Sequence, residues 1–281
     1  MLGELIQAAK ARAQPDELVI SSEDVSMVSP RDQYGSPDYW EARYQVDGAE
    51  GQVFEWLSDW AYLAPSLAPV LTSVGAHDDL SRVLHVGAGN STLGIDLWKA
   101  GFGRGGVVNT DISETVCSQM GQRFRDAIFV RDDALDMQLA RSLTALPPTT
   151  TLTPALVAAL TLDADPVNQL AFGFDAIVDK GTLDAFACTV GSGEDKAKQV
   201  LRYLEECRAV LKPTGKLVII SFGQPETRLK FFESEHWTCE WSSLHEQSAT
   251  PLEASSATAS QGLSKPRTKT QNYMYILTRT A

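Results

Sequence analysis

The stretch Val83-Leu84-His85-Val86-Gly87-Ala88-Gly89-Asn90-Ser91 is a short apolar run, a pair of glycines and then a polar residue opening a helical pattern. Read locally it is a strand that turns sharply into a helix. Glycines at such a turn let the backbone approach a ligand that a Cβ would exclude, beside a helix N-terminus. Alone, the same turn serves equally well as a tight connection with no ligand. Asp111 follows Gly89 by 22 positions, just past the next apolar run, where a carboxylate can accept both hydroxyls of a ribose. That spacing suits a dinucleotide or an adenosyl cofactor. The dinucleotide fingerprint requires a third glycine three positions after the second, and the residue there is Thr92. Its absence turns the reading toward a cofactor without a pyrophosphate.

Outward from this turn, short apolar runs alternate with helical stretches, the mark of a parallel sheet with crossover helices. Strands are read near Arg82 to Val86, Val107 to Thr110, Ala127 to Val130, Phe174 to Val178 and Lys216 to Ser221. Helices are read over Ser91 to Ala100, Glu114 to Phe124 and Asp195 to Leu211, the last stopped by Lys212-Pro213-Thr214-Gly215. Further on, Pro225 to Glu235 reads as helix, Trp237 to Leu244 as extended chain and Asn272 to Thr278 as a strand. The chain divides into an N-terminal extension, 1–37, and one domain, 38–281. Two segments without a core-forming pattern interrupt the domain, at about 142–170, part helical near Pro154 to Leu162, and at about 247–270, rich in Ser, Thr and Ala.

Composition excludes several classes. The net charge of −12 and pI near 4.8 argue against a nucleic-acid partner, which needs clustered Lys and Arg, and are compatible with a basic protein substrate. No apolar run reaches the roughly 18 residues of a membrane span. The four cysteines are dispersed, with no C-x-x-C pair for a metal or redox site, and read as thiols of a reducing compartment, so the cytoplasm is the expected location. No metal is called for.

The strand reaching Asp179-Lys180-Gly181-Thr182-Leu183-Asp184-Ala185 brings polar groups to the edge of the sheet where ligands bind in open α/β folds. Asp179 is read as the candidate for orienting a nucleophile or taking its proton, with Asp184 as the alternative; an ion pair or a helix cap is the structural reading of the same residues. Asp133, after the third strand, stands where an adenine amino group would lie.

Four separated motifs in one order carry a resemblance. Tyr39-Trp40-Glu41-Ala42-Arg43-Tyr44, Phe54-Glu55-Trp56, Gly87-Ala88-Gly89-Asn90-Ser91 and Asp179 to Ala185 are similar to those of the methyltransferase-like proteins that methylate lysine in elongation factor 1A, with citrate synthase lysine methyltransferase as a relative. The resemblance implies an α/β fold, a seven-stranded, mostly parallel twisted sheet with helices on both faces and an antiparallel C-terminal hairpin. It implies S-adenosyl-L-methionine as cofactor and a protein lysine as substrate. It further implies that Trp40, Arg43, Tyr44 and Phe54 close over the cofactor, that Gly87 contacts its methionine part, that Gly89 and Asn90 also belong to the cofactor site, and that Asp111 and Ile112 take the ribose and adenine. Asp133 and Ala134 would take the adenine, and Lys180 would form the site floor. Family members usually carry Cys between the two glycines, where this chain has Ala88. Readings still open are a small-molecule methyltransferase of the same fold, a non-catalytic cofactor-binding scaffold and a nicotinamide-dependent oxidoreductase.

Overall fold

Every residue of β1 (Arg82–Val86) is buried, as a central strand covered on both faces must be. Its apolar side chains alternate between two cores. Val83 packs with Leu63, Leu67 and Leu71 of helix α2 (Trp60–Ser73) and with Leu93 and Leu97 of α3 (Leu93–Lys99). Leu84 and Val86 face the other side, with Tyr203, Leu204 and Cys207 of α8 (Gly193–Val210). The computed structural model describes residues 33–47, 53–160, 172–188, 191–244 and 271–280.

The remaining elements are α1 (Pro37–Asp47), β2 (Gly106–Asp111), α4 (Glu114–Arg123), β3 (Ile128–Arg131), α5 (Gln138–Thr144), α6 (Pro154–Leu160), β4 (Phe174–Lys180), α7 (Thr182–Ala187), β5 (Leu211–Ser221), α9 (Pro225–Phe232), β6 (Trp237–Leu244) and β7 (Asn272–Arg279). Among the described residues the strands form one seven-stranded sheet in the order β3-β2-β1-β4-β5-β7-β6. β1 to β5 are mutually parallel, and β7 runs antiparallel between β5 and β6. This is the seven-stranded fold, antiparallel C-terminal hairpin included, that the resemblance implies. The chain winds outward from β1 to β3 and then returns to β4 on the other side of β1, so the strand order reverses between β1 and β4. A crevice at the carboxyl ends is expected there.

Two crossover helices start at clear side-chain caps. Ser113 caps α4 by accepting from Val116 N. Ser192 and Asp195 form a capping box on α8, whose Val200, Tyr203, Leu204, Cys207 and Val210 recur at helical spacing and are buried. Helix α8 passes directly into β5, five residues before the strand start read from sequence. The turn residues Lys212 to Gly215 are absorbed as an irregularity, and the pairing with β4 shifts between Phe174 and Ala176.

The segment read as an insertion is partly core. Leu152 and Val157 are buried, and the Arg82 guanidinium donates to the carbonyls of Leu143, Leu146, Pro147 and Thr150. One arginine on β1 thereby fixes the turn between α5 and α6. The rest of that segment, 161–171, and the other irregular stretch, 247–270, lie outside the described residues, as does 1–32 of the N-terminal extension. No helix of the described residues is long and apolar enough to cross a membrane.

Candidate active site

The crevice at the carboxyl ends begins with the glycine turn after β1. Gly87 and Gly89 have φ of +58° and +53°, a left-handed conformation that side chains oppose. Space is restricted as well: a Cβ on Gly87 would lie 2.0 Å from Thr182 Oγ1, and one on Gly89 would lie 2.4 Å from the Tyr44 hydroxyl. The glycines thus admit two of the chain's own side chains. Thr182, at the start of α7, ties that helix to the end of β1 by donating to Val86 O at 3.0 Å, while Tyr44 reaches over from α1.

Asp111, at the end of β2, faces this turn. Its Oδ2 accepts from Gly89 N at 2.9 Å and its Oδ1 from Ser113 N at 3.0 Å, so each oxygen keeps lone-pair capacity for a hydroxyl. Burial pushes its carboxyl up to about 6, against the opposing effect of those N–H donors.

Helix α1 is held over the site from below. Glu41 accepts from Ser113 Oγ at 2.6 Å and from Thr115 Oγ1, and Gln119 Nε2 donates to Tyr44 O at 3.3 Å, all at the start and first turns of α4. Burial raises the Glu41 carboxyl, but these hydroxyl and N–H donors outweigh it and hold it below the usual range. Trp40 stacks on Tyr44 with ring centroids 6.0 Å apart. The Arg43 guanidinium lies 5.1 to 5.8 Å from the Trp56, Trp40 and Phe54 rings, and Phe54 itself is 39% exposed. Trp40, Arg43, Tyr44 and Phe54 are thus brought together as one aromatic flank of the turn.

A second carboxylate ties that flank to the sheet. Glu55 accepts from Ser91 Oγ at 2.6 Å, from Thr92 N at 2.7 Å and from Thr92 Oγ1 at 3.1 Å, and it pairs with Lys180 Nζ at 2.7 Å. Lys180 also donates to Trp56 O at 2.9 Å. Burial would raise the Glu55 carboxyl, but Lys180 and the donors from Ser91 and Thr92 hold it below the usual range. Leu57, next along the chain, is forced to φ +64°, and its carbonyl is held by Asn272 of β7 at 3.1 Å.

Other residues singled out from the sequence lie apart or have other duties. Asn90 is buried within the glycine turn, Ile112 follows Asp111 half-buried, and Ala134 packs against the core. Asp133 is exposed and accepts from Leu135 N at 2.9 Å, a local turn contact. Its neighbour Asp132 is the more constrained carboxylate, accepting from Leu139 N and Ala140 N. Asp179, the expected base, is fully buried; its Oδ1 accepts from Thr182 N at 2.7 Å, and its Oδ2 from Leu183 N at 2.9 Å and Tyr203 OH at 2.8 Å. It caps α7, and burial pushes it up to about 7. Asp184 is paired with Arg228 Nη2 at 2.7 Å and accepts from Phe222 N at 3.0 Å and from Ser221 Oγ. It joins α7 to the loop after β5. Both acids of the candidate catalytic pair are therefore committed to backbone and side-chain donors that hold the site walls.

No protein-family model matches the chain. EEF1A lysine methyltransferase 4 of Bos taurus is 26% identical over 221 residues, covering 75% of this chain and 70% of that protein. The eEF1A lysine and N-terminal methyltransferase of Danio rerio is 32% identical over 193 residues, 69% of this chain and 22% of that larger protein. The chain is a homologue of the elongation factor 1A lysine methyltransferases. A mitochondrial citrate synthase-lysine N-methyltransferase of Danio rerio, 26% identical over 201 residues and 70% of each chain, extends the same set of lysine methyltransferase homologues.

Glu55 and Glu41 are the site residues that sequence reading passed over. Glu55 stood between two aromatics of a quoted motif, and its partner Lys180 is 125 positions away, so no local spacing links them. The usable signal was a carboxylate flanked by aromatics in a chain with a lysine at the end of a buried strand.

Proposed function

We propose that the chain is an S-adenosyl-L-methionine-dependent protein-lysine N-methyltransferase, with an elongation factor 1A-like protein as the substrate class. The carrying observation is the carboxylate of Glu55 at the start of α3. In dinucleotide sites that position, the helix start behind the glycine turn, receives a pyrophosphate. Here Thr92 N and the Ser91 and Thr92 hydroxyls are already given to Glu55. A pyrophosphate would meet a carboxylate, whereas a cofactor with a cationic sulfonium and no phosphate meets no such conflict. Asp111, with one N–H on each oxygen, is suited to a ribose diol.

Bound there, the cofactor supplies an electrophilic methyl group on sulfur. The chain's own work is alignment and exclusion of water. Asp111 and the glycine turn fix the sugar, and Trp40, Tyr44, Phe54 and Trp56 supply an apolar wall. Such a wall favours the neutral amine over the charged one, the form in which a lysine attacks. The four described cysteines are free, which supports a reducing compartment, and we assign the protein to the cytoplasm.

Calorimetric titration tests the cofactor: S-adenosyl-L-methionine is expected to bind and NAD not to. NAD binding with no response to S-adenosyl-L-methionine would reverse the assignment. Incubation of cell lysate with tritiated cofactor and the protein is expected to label a protein band; label confined to small molecules would move the activity to metabolites. Affinity for the cofactor should also fall as pH drops through about 6, because protonation of Asp111 removes an acceptor from the diol. The limiting slope below that pH is about one log unit per pH unit.

Asp179→Asn provides a further check. The amide cannot accept from all three donors, so the variant should lose about 1–3 kcal/mol of stability in urea unfolding. Its turnover at saturation should stay within about twofold, since each 1.4 kcal/mol lost from transition-state binding would cost tenfold. A hundredfold loss of turnover at unchanged stability would restore the base role.

A further inference from the structure

With Asp111 and the glycine turn given to the cofactor, the ends of β4 and β5 are left to the methyl acceptor. At the end of β4 there is room. Gly181, at φ +92°, donates its N–H to Ile220 O at 3.1 Å, and a Cβ placed on it would approach, beyond its chain neighbours, only Leu57 Cδ1 at 3.9 Å. Leu57 thus borders this space on the side of the aromatic flank.

The loop after β5, Phe222 to Gln224, stands at the same end of the sheet and is held by an unusual number of side-chain contacts. Phe222 N donates to Asp184 Oδ2 at 3.0 Å, Gly223 N to Ser221 Oγ at 2.9 Å, and Tyr275 OH to Gly223 O at 2.6 Å. Arg228 reaches back from α9. Its Nη2 donates to Asp184 Oδ1 at 2.7 Å, and its Nε to Asp184 Oδ1 and Ser221 Oγ at 3.3 Å each. The guanidinium presses on Gly223, where a Cβ would lie 2.3 Å from Cζ, and sits 5.9 Å from the centroid of the Phe222 ring. A buried ion pair yields little net stability, so its return here is a fixed geometry. What that geometry fixes is Phe222. This half-buried residue belongs to none of the three apolar clusters of the described residues, so a large ring is set at the site pole without filling a core.

A lysine side chain presents a long apolar stem below its amine, the part that an aromatic ring can pack against. We propose that Phe222 is the acceptor-side wall of the methyl-transfer site, packing on the stem of the incoming lysine above Gly181, and that Arg228 is the positioning residue that sets its ring. This rests on the lysine methyltransferase reading.

Initial rates with tritiated S-adenosyl-L-methionine and purified elongation factor 1A as acceptor test it, beside calorimetric affinity for the cofactor and Tm. Phe222→Ala is expected to raise KM for the acceptor about tenfold or more, the effect of withdrawing an apolar ring from the stem, with cofactor affinity and Tm unchanged. Phe222→Leu should keep KM within about threefold, since it keeps an apolar surface. Arg228→Lys retains a charge for Asp184 but loses the guanidinium fork. It should raise KM about fivefold in the wild type and less than about twofold in Phe222→Ala, because it acts through that ring. Equal KM for wild type and Phe222→Ala, or a loss confined to cofactor affinity, would overturn the wall. Additive effects of the two changes would overturn the positioning role. A wild type that leaves elongation factor 1A unlabelled withdraws the substrate reading and this proposal with it, an outcome distinct from a labelled acceptor whose KM ignores Phe222.

Discussion

Lys180→Met is expected to destabilise the fold by about 3–5 kcal/mol, the range for breaking a buried ion pair by removal of one partner. The lysine side chain is 3% exposed and Glu55 20%, so the carboxylate left behind is poorly compensated by solvent. Burial lowers Lys180 from the usual lysine range while Glu55 opposes that shift, consistent with a pair that stands or falls together. For a domain of this size the loss corresponds to roughly 6–20 °C in Tm, read by thermal unfolding. E55Q/K180M, which removes both charges, should recover part of the loss. A K180M variant of unchanged Tm with weakened cofactor binding would return Lys180 to the site floor, as the resemblance implies. The pair has a functional consequence too: Lys180 holds both Glu55 and the Trp56 carbonyl, so its loss frees the aromatic flank from the glycine turn.

Asp111→Ala should weaken S-adenosyl-L-methionine by about 100-fold or more, since a buried carboxylate accepting two hydroxyls contributes roughly 1.5–3 kcal/mol per charged hydrogen bond. The same change leaves Gly89 N and Ser113 N without their acceptor, which adds conformational loosening of the turn. Asp111→Asn separates the contributions, because it keeps one acceptor and removes the charge; it should also flatten the pH dependence of binding near 6. Stability has its own sign. A carboxyl whose pKa rises from 3.8 to about 6 on folding contributes stability that is complete below about 4 and lost as pH rises through about 6. Wild type should therefore gain less stability than Asp111→Asn between those values. Calorimetric affinities within threefold of wild type for Asp111→Ala would remove the residue from the cofactor site.

The sheet was readable because its determinants are local. The apolar run of β1, the paired glycines and the stop at Lys212-Pro213 each act within a few residues, and the strands fall where those signals stand, with β5 starting earlier because α8 runs into it without a loop. The placement of Asp111 against the glycine turn was readable because its distance from the turn is set by one crossover. What could not be read are contacts that only the assembled sheet creates. Glu55 with Lys180, Glu41 with Ser113, and Arg82 with the turn between α5 and α6 join residues 61 to 125 positions apart. The commitment of Asp179 and Asp184 was hidden likewise. Their strand position was apparent, but the donors that occupy them come from Tyr203, Ser221 and Arg228, on elements whose packing direction no spacing reveals. Asp132 and Asp133 show the finest limit: adjacent acids, one half-buried and accepting from the first turn of α5 and one exposed, are separated only by strand pleat and turn geometry.

The place of β7 bears on how the molecule is made. The last described strand lies between β5 and β6, so two earlier strands wait for it before their inner edges can pair. Pairings of high sequence separation slow folding, and a nascent chain on the ribosome carries β5 with an open hydrogen-bonding edge until Asn272–Arg279 emerges. During that interval the partly made product is a template for mispairing.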